Sequence, residues 1–279
     1  MEVFELNNSS TFLVTFGSGR EWRPAVKRLT SQAVKTRRFG KIVTFSEADL
    51  DVNALDVDRD FFLDNPRGYG FWIWKPFIIL KVLENFPECE VVFYLDSGCE
   101  INAEKSALQK LDQYIATCSQ KGGVAFELPF IEENWTAGYV LDKMDAKNLS
   151  RTKQLASGII FLKNNHRSKD LLTSWQTWMT KDNCTYVKGD KANIENKVSL
   201  REHRFDQSIF SILWKQANLQ ILPDESFWAP DWKNFGKDYP IWSTRSKLRF
   251  SFSVNRILFF CYRASRYFLR KVSRDKLFI

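Results

Sequence analysis

The 279-residue sequence predicts an α/β fold built on a mixed, mainly parallel sheet flanked by helices. Three observations predict it. Thr11 to Thr15 and Lys41 to Phe45 are short apolar, β-branched runs separated by a helix-length segment, the pattern of a βαβ unit and hence of parallel strands. Val91 to Leu95 (VVFYL) is a continuous apolar run, as expected of a strand buried on both faces. Directly after it the polarity reverses at Asp96, and Ser97, Gly98, Cys99 and Glu100 follow. In open α/β sheets ligands bind beyond the carboxyl ends of strands, so Asp96 stands where a working carboxylate belongs.

Taken in order, the first strand ends in Gly17-Ser18-Gly19. Such a turn suits an ordinary strand-to-helix connection, and also the approach of a nucleotide to backbone amides at Gly17. Trp22 to Lys35 reads as a helix with Ala25, Leu29 and Ala33 on its buried face. Asp49 to Asp64 is acidic and irregular. Arg67 to Phe77 (RGYGFWIWKPF) places glycines, aromatics and Lys75 before a helix that opens near Pro76. Trp72 and Tyr69 fit a core, or a platform for a planar base beside the cation of Lys75. The helix continues through Ile78, Ile79, Val82 and Leu83 and stops at Pro87.

Beyond Asn102, Ala103 to Cys118 reads as an amphipathic helix, Gly122 to Phe130 as a strand and Gln154 to Asn165 as another, entered through Ser157 and Gly158. Arg167 to Lys181 is a helix with Trp175 and Trp178 at core spacing. Cys184 to Leu200 is polar and loop-like. His203 to Gln216 is a helix for which Asp206 stands as the N-cap, with His203 and Gln207 beside it. Leu219 to Glu225 closes the series as a strand. Asp96 and Glu100, four residues apart around a glycine, are spaced to share a hard cation through oxygen ligands, or to cap a turn and face water.

Composition narrows the function classes. The opening MEVFELNNSS has neither the basic nor the apolar segment of a secretory signal, and no apolar run reaches the ~20 residues that span a bilayer. Five cysteines without metal-type spacing suit reduced thiols and a cytoplasmic setting. From Arg245 to Ile279 there are ten Lys or Arg and one acid, leaving 31 basic and 32 acidic residues in the rest. The organisation expected is therefore a neutral body, 1–244, and a basic amphipathic C-terminal helix, 245–279. In that tail Phe250, Phe252, Ile257, Leu258 and Phe260 interleave with arginines, a pattern that suits docking on the anionic inner face of a membrane. Nucleic acid is not expected as a partner, because the body is not basic.

On YLDSGCE, ASGIIFLKNN and HRFDQSIFS, with the opening strand and turn and the helix before Asp96, the sequence resembles a GT-A-fold glycosyltransferase from about Phe12 to Leu222. The resemblance implies transfer of a sugar from a nucleotide-sugar donor to a glycan or lipid-linked acceptor. It implies that Asp96 stands for the first aspartate of a DxD motif, with Gly98 where the second would be. Mn²⁺ or Mg²⁺ would then be held by Asp96 and Glu100, with His203 as third ligand. It further implies that Lys75 holds the donor phosphates, that Ser157 and Gly158 lie near the donor sugar, and that Asp206-Gln207 lies on the acceptor side. There Asp206 would orient or deprotonate the acceptor hydroxyl. Two other classes fit parts of the pattern: a noncatalytic nucleotide-sugar-binding protein, and a membrane- or RNA-associated interaction protein acting through the tail.

Overall fold

The computed structural model describes residues 1–189, 200–226 and 236–247. The elements run β1 (Glu2–Glu5), β2 (Thr11–Phe16), α1 (Gly19–Thr36), β3 (Lys41–Phe45), α2 (Arg59–Asp64), α3 (Gly68–Phe71) and α4 (Trp74–Asn85). They continue with β4 (Val91–Leu95), β5 (Glu100–Ile101), α5 (Lys105–Lys121), β6 (Gly123–Ile131), α6 (Glu132–Trp135) and α7 (Gly138–Lys143). The last described are β7 (Lys153–Lys163), α8 (His166–Lys188), α9 (Asp206–Gln216), β8 (Gln220–Pro223) and β9 (Ile241–Trp242).

Seven strands form one sheet in the order β1-β3-β2-β4-β7-β6-β8. β3, β2 and β4 are mutually parallel, β7 is antiparallel to both β4 and β6, and β6 is parallel to β8. Five strands therefore point one way, and β1 and β7 point the other. The antiparallel entry of β7 matters for the site. Leu95 pairs with Ile159, so Ser157 and Gly158, in the first half of β7, come level with Asp96 at the end of β4.

Alternation along the strands divides the core between the two faces of the sheet. Val92 and Tyr94 pack with Ile78, Ile79, Leu172, Trp175 and Phe210 from α4, α8 and α9. Val91, Phe93 and Leu95 pack with Leu29, Ala33, Leu111 and Tyr114 from α1 and α5. The Phe93 and Phe161 rings stack at 4.1 Å across β4 and β7. Each such fully buried ring contributes roughly 1.5–3 kcal/mol, and together they fix the strand that carries Asp96.

Several local expectations change. Asp206 is the first residue of α9, not its cap: Phe205 precedes the helix with φ 50° and ψ −125°. The irregular 49–64 segment contains α2, capped by Asp58, whose carboxylate accepts from the Phe61 amide at 2.7 Å. The start of the expected 184–200 loop is helical to Lys188, beyond a kink at 181–184. The basic tail lies outside the described residues from 248 onward. Arg245 to Lys247 are described, and they meet the body: the Ser246 amide donates to Gly98 O at 3.0 Å and Lys247 pairs with Glu21 at 2.7 Å.

Candidate active site

The site is built where β4 ends. Tyr94 and Asp96 share a face, being two residues apart on an extended chain. The Tyr94 hydroxyl donates to Asp96 Oδ1 at 2.6 Å. The Asp96 amide donates to Gly158 O at 2.9 Å, which ties the end of β4 to β7. A Cβ at position 158 would overlap Asp96 Oδ2. Only glycine leaves that oxygen room, and 39% of the Asp96 side chain is exposed.

Beneath Asp96 lies Lys75, from the first turn of α4, with 1% of its surface exposed. Its ammonium donates to Asp206 Oδ2 at 2.7 Å and to Ser157 O at 3.1 Å, and stands 3.5 Å from Asp96 Oδ1. Ser157 Oγ donates to the same Asp206 oxygen at 2.7 Å. Burial works to discharge Lys75, but the Asp206 and Asp96 carboxylates outweigh it and hold its pKa above the ordinary lysine value. Burial pushes the Asp206 carboxyl up, against the opposing pull of Lys75 and Ser157. Lys75 was expected to meet donor phosphate directly. Instead it is a buried ammonium shared by two carboxylates, so its charge acts from below the exposed Asp96.

The aromatic loop reaches the same place. Gly68 to Trp72 all have left-handed backbone, with φ between 49° and 76°. This coil sets the Trp72 ring 6.0 Å from Lys75 Nζ and 6.0 Å from the Phe205 ring. Phe205 in turn stacks on Phe71 at 4.8 Å and carries the Arg67 guanidinium at 4.5 Å. Tyr69 stacks on Phe62 at 4.8 Å, so one of its faces is taken. Sequence pattern alone does not pair Phe205 with Arg67. Their role depends on a contact between loops that are over 130 residues apart.

Of the three expected metal ligands, Asp96 alone stands here. Glu100 is fully buried and turned toward α1: it accepts from Gln32 Nε2 at 3.3 Å and faces the buried Arg28. Arg28 donates to the carbonyls of Ser97 and Cys99 at 3.0 Å each, and to that of Ser246 at 3.1 Å, fixing the turn after Asp96. His203 is packed on Gly189, and its Nδ1 accepts from the Ala137 amide at 3.2 Å. Burial holds it neutral, with its pKa lowered to about 4. The described residues hold no group of three His, Cys, Asp or Glu that could bind a metal ion. Of the expected ligands among the described residues, a cation here would be held through Asp96, whose Oδ2 faces the gap kept open by Gly158. The neighbouring Cys99 is no nucleophile, because burial pushes its thiol up to about 12.

Gly17 ends β2 with its amide donating to Phe45 O at 3.0 Å, packed against Trp22 and Val26. The Trp22 ring also lies against Gly98. Gln207 follows Asp206, half-buried, and joins a buried polar network through Gln154 that sequence reasoning did not find.

The bifunctional glycosyltransferase WbbM aligns over 90% of this chain at a TM-score of 0.50 and 13% identity, and the chain spans 49% of WbbM's length. A glycosyltransferase involved in the glycosylation of the major capsid of PBCV-1 aligns over 89% of this chain and 98% of its own, at 10% identity and a TM-score of 0.49. Mouse xyloside xylosyltransferase 1 covers 76% of this chain and 84% of its own, at 11% identity and a TM-score of 0.38. No family model and no curated protein sequence matches. The likeness to WbbM shows a shared fold, the mixed, mainly parallel α/β sheet expected from the sequence.

Proposed function

We propose that the protein is a glycosyltransferase that moves a sugar from a nucleotide-sugar donor to a glycan or lipid-linked acceptor. One observation supports this most: an exposed carboxylate, Asp96, stands over a fully buried ammonium at the strand ends of a fold shared with a glycosyltransferase. Breaking a sugar–phosphate bond places negative charge on the departing diphosphate, and stabilising that charge is the main work of such a site. Here two carboxylates face one ammonium, so the cluster by itself does not attract a diphosphate. A Mn²⁺ or Mg²⁺ ion taken by Asp96, with the donor phosphates and water completing its shell, would supply the missing positive charge.

The chain's own residues do the rest. Lys75 and Tyr94 hold Asp96 in one orientation. Gly158 keeps space beside it for the donor. Asp206 has Oδ2 committed to Lys75 and Ser157, and we assign it the positioning of that lysine. Trp72, beside Lys75, is the aromatic available to the donor base. The membrane reading of the tail belongs to the proposal as well: Ser246 is bonded to the turn that follows Asp96, so docking of the basic sequence beyond it on an anionic membrane would bring a lipid-linked acceptor toward that turn. Incubating the purified chain with a panel of nucleotide sugars and Mn²⁺ tests the function. Release of nucleoside diphosphate from at least one donor is expected, and inertness toward all of them would sink it.

A further inference from the structure

Gln154, near the start of β7, is fully buried. Its amide nitrogen faces Thr136 Oγ1 at 3.1 Å, Glu132 Oε2 at 3.3 Å, Trp135 O at 3.4 Å and Ser208 Oγ at 3.5 Å. A carboxylate and a main-chain carbonyl only accept hydrogen bonds, so the nitrogen must point to them and the Gln154 oxygen away. The Glu132 carboxylate is itself fixed: it accepts from Lys215 Nζ at 2.8 Å, from Thr136 Oγ1 at 2.7 Å and from Ser211 Oγ. Gln154 Oε1 then meets Gln207, and an oxygen there requires a donor opposite. Gln207 Nε2 supplies it at 2.6 Å. The Gln207 side-chain oxygen, Oε1, accepts no hydrogen bond from the described residues.

We propose that Gln154 is a positioning residue, and that Glu132 acts through it to set the hydrogen-bonding polarity of Gln207. Gln207 directly follows Asp206 and is half-buried, and its side-chain oxygen is thereby presented as an acceptor. It recognises a hydroxyl donor, such as a sugar hydroxyl, in preference to a phosphate oxygen or a carbonyl. Naming the ligand as a sugar rests on the glycosyl-transfer reading; the amide polarity does not.

The test uses the full chain labelled with ¹⁵N-glutamine, its side-chain amides assigned through Gln154→Met and Gln207→Met. Solvent exchange of the Gln207 amide protons is expected to be at least about tenfold slower than that of the exposed Gln109, as befits a hydrogen-bonded group. In Gln154→Met, which conserves volume and leaves the Glu132–Lys215 pair intact, it should rise to the Gln109 rate. Fast exchange in the wild type, or slow exchange persisting in Gln154→Met, overturns the proposal. The wild-type arm decides even should the variant fail to fold. With the nucleotide sugar that the wild type hydrolyses fastest, Gln154→Met should raise KM about fivefold, the worth of one hydrogen bond, and leave kcat within about twofold. A fall in kcat alone contradicts the recognition role. Absence of hydrolysis by the wild type would count against glycosyl transfer, while the exchange rates still decide the polarity.

Discussion

Gly158 shows how far one missing methyl group reaches. Its absent Cβ is what gives Asp96 Oδ2 its room, and the group it would strike is the end of a side chain, not backbone. Gly158→Ala should therefore cost little stability but displace the Asp96 carboxylate proposed to work in transfer. We expect activity to fall by at least about 100-fold, a loss of ~2.7 kcal/mol in transition-state stabilisation, with an unchanged urea midpoint. Near-wild-type turnover would remove Asp96 from the mechanism. His203 makes the complementary case, a residue with a structural consequence. Its pKa is lowered to about 4 from 6.5 by burial. Above pH 6.5 it is neutral whether folded or unfolded, and no penalty arises. As the pH falls toward 4, the unfolded chain takes up the proton first, so stability drops by up to ~3 kcal/mol. His203→Gln, whose amide oxygen can still accept from Ala137, should flatten the pH dependence of the urea midpoint between pH 4.5 and 7. A variant with the wild-type slope would show that another group governs it.

At the scale of elements, the strands were the legible part of the sequence. Val91 to Leu95 and Lys41 to Phe45 are long enough and apolar enough to announce themselves, and the switch at Asp96 marks the end of β4. Elements shorter than one pattern repeat were not legible: β5 and β9 have two residues each and exist because they pair with one another. Nor was the burial of Lys75 legible, since it depends on Asp206, 131 residues away. Glu132 and Gln154 were hidden in the same way, being polar residues that only the folded chain supplies with partners. The 68–72 coil is a further example. Its glycines serve a fixed left-handed turn in which Tyr69, Phe71 and Trp72 each cost roughly 1–2 kcal/mol. One bifurcated hydrogen bond from Trp74 Nε1, shared between Gly68 O at 3.1 Å and Tyr69 O at 3.0 Å, helps to offset this. A Cβ at Gly70 would come within 2.6 Å of the Phe62 ring. Gly70→Ala should accordingly destabilise the fold by about 1–3 kcal/mol by strain and overpacking and weaken donor binding through Trp72. An unchanged urea midpoint would show that the coil is not held as described.

For the whole molecule, the division of charge gives the clearest expectation. Residues 245–247 are fastened to the body by Arg28, Gly98 and Glu21, so a truncation meant to isolate the tail should follow Lys247. Full-length protein should sediment with vesicles containing anionic lipid, and the 1–247 chain should not. Salt should weaken binding without abolishing it, if the phenylalanines and leucines of the tail sequence add an apolar contribution as proposed. Equal binding by both chains would assign the tail a role within the fold. The central claim, that the end of β4 carries the chemistry of sugar transfer, is tested most directly by one comparison: nucleoside diphosphate release from the best donor by wild type and by Asp96→Ala. Loss of at least about 1,000-fold in rate, with an unchanged melting temperature, is the result this account predicts. An Asp96→Ala protein that keeps most of its activity would contradict it.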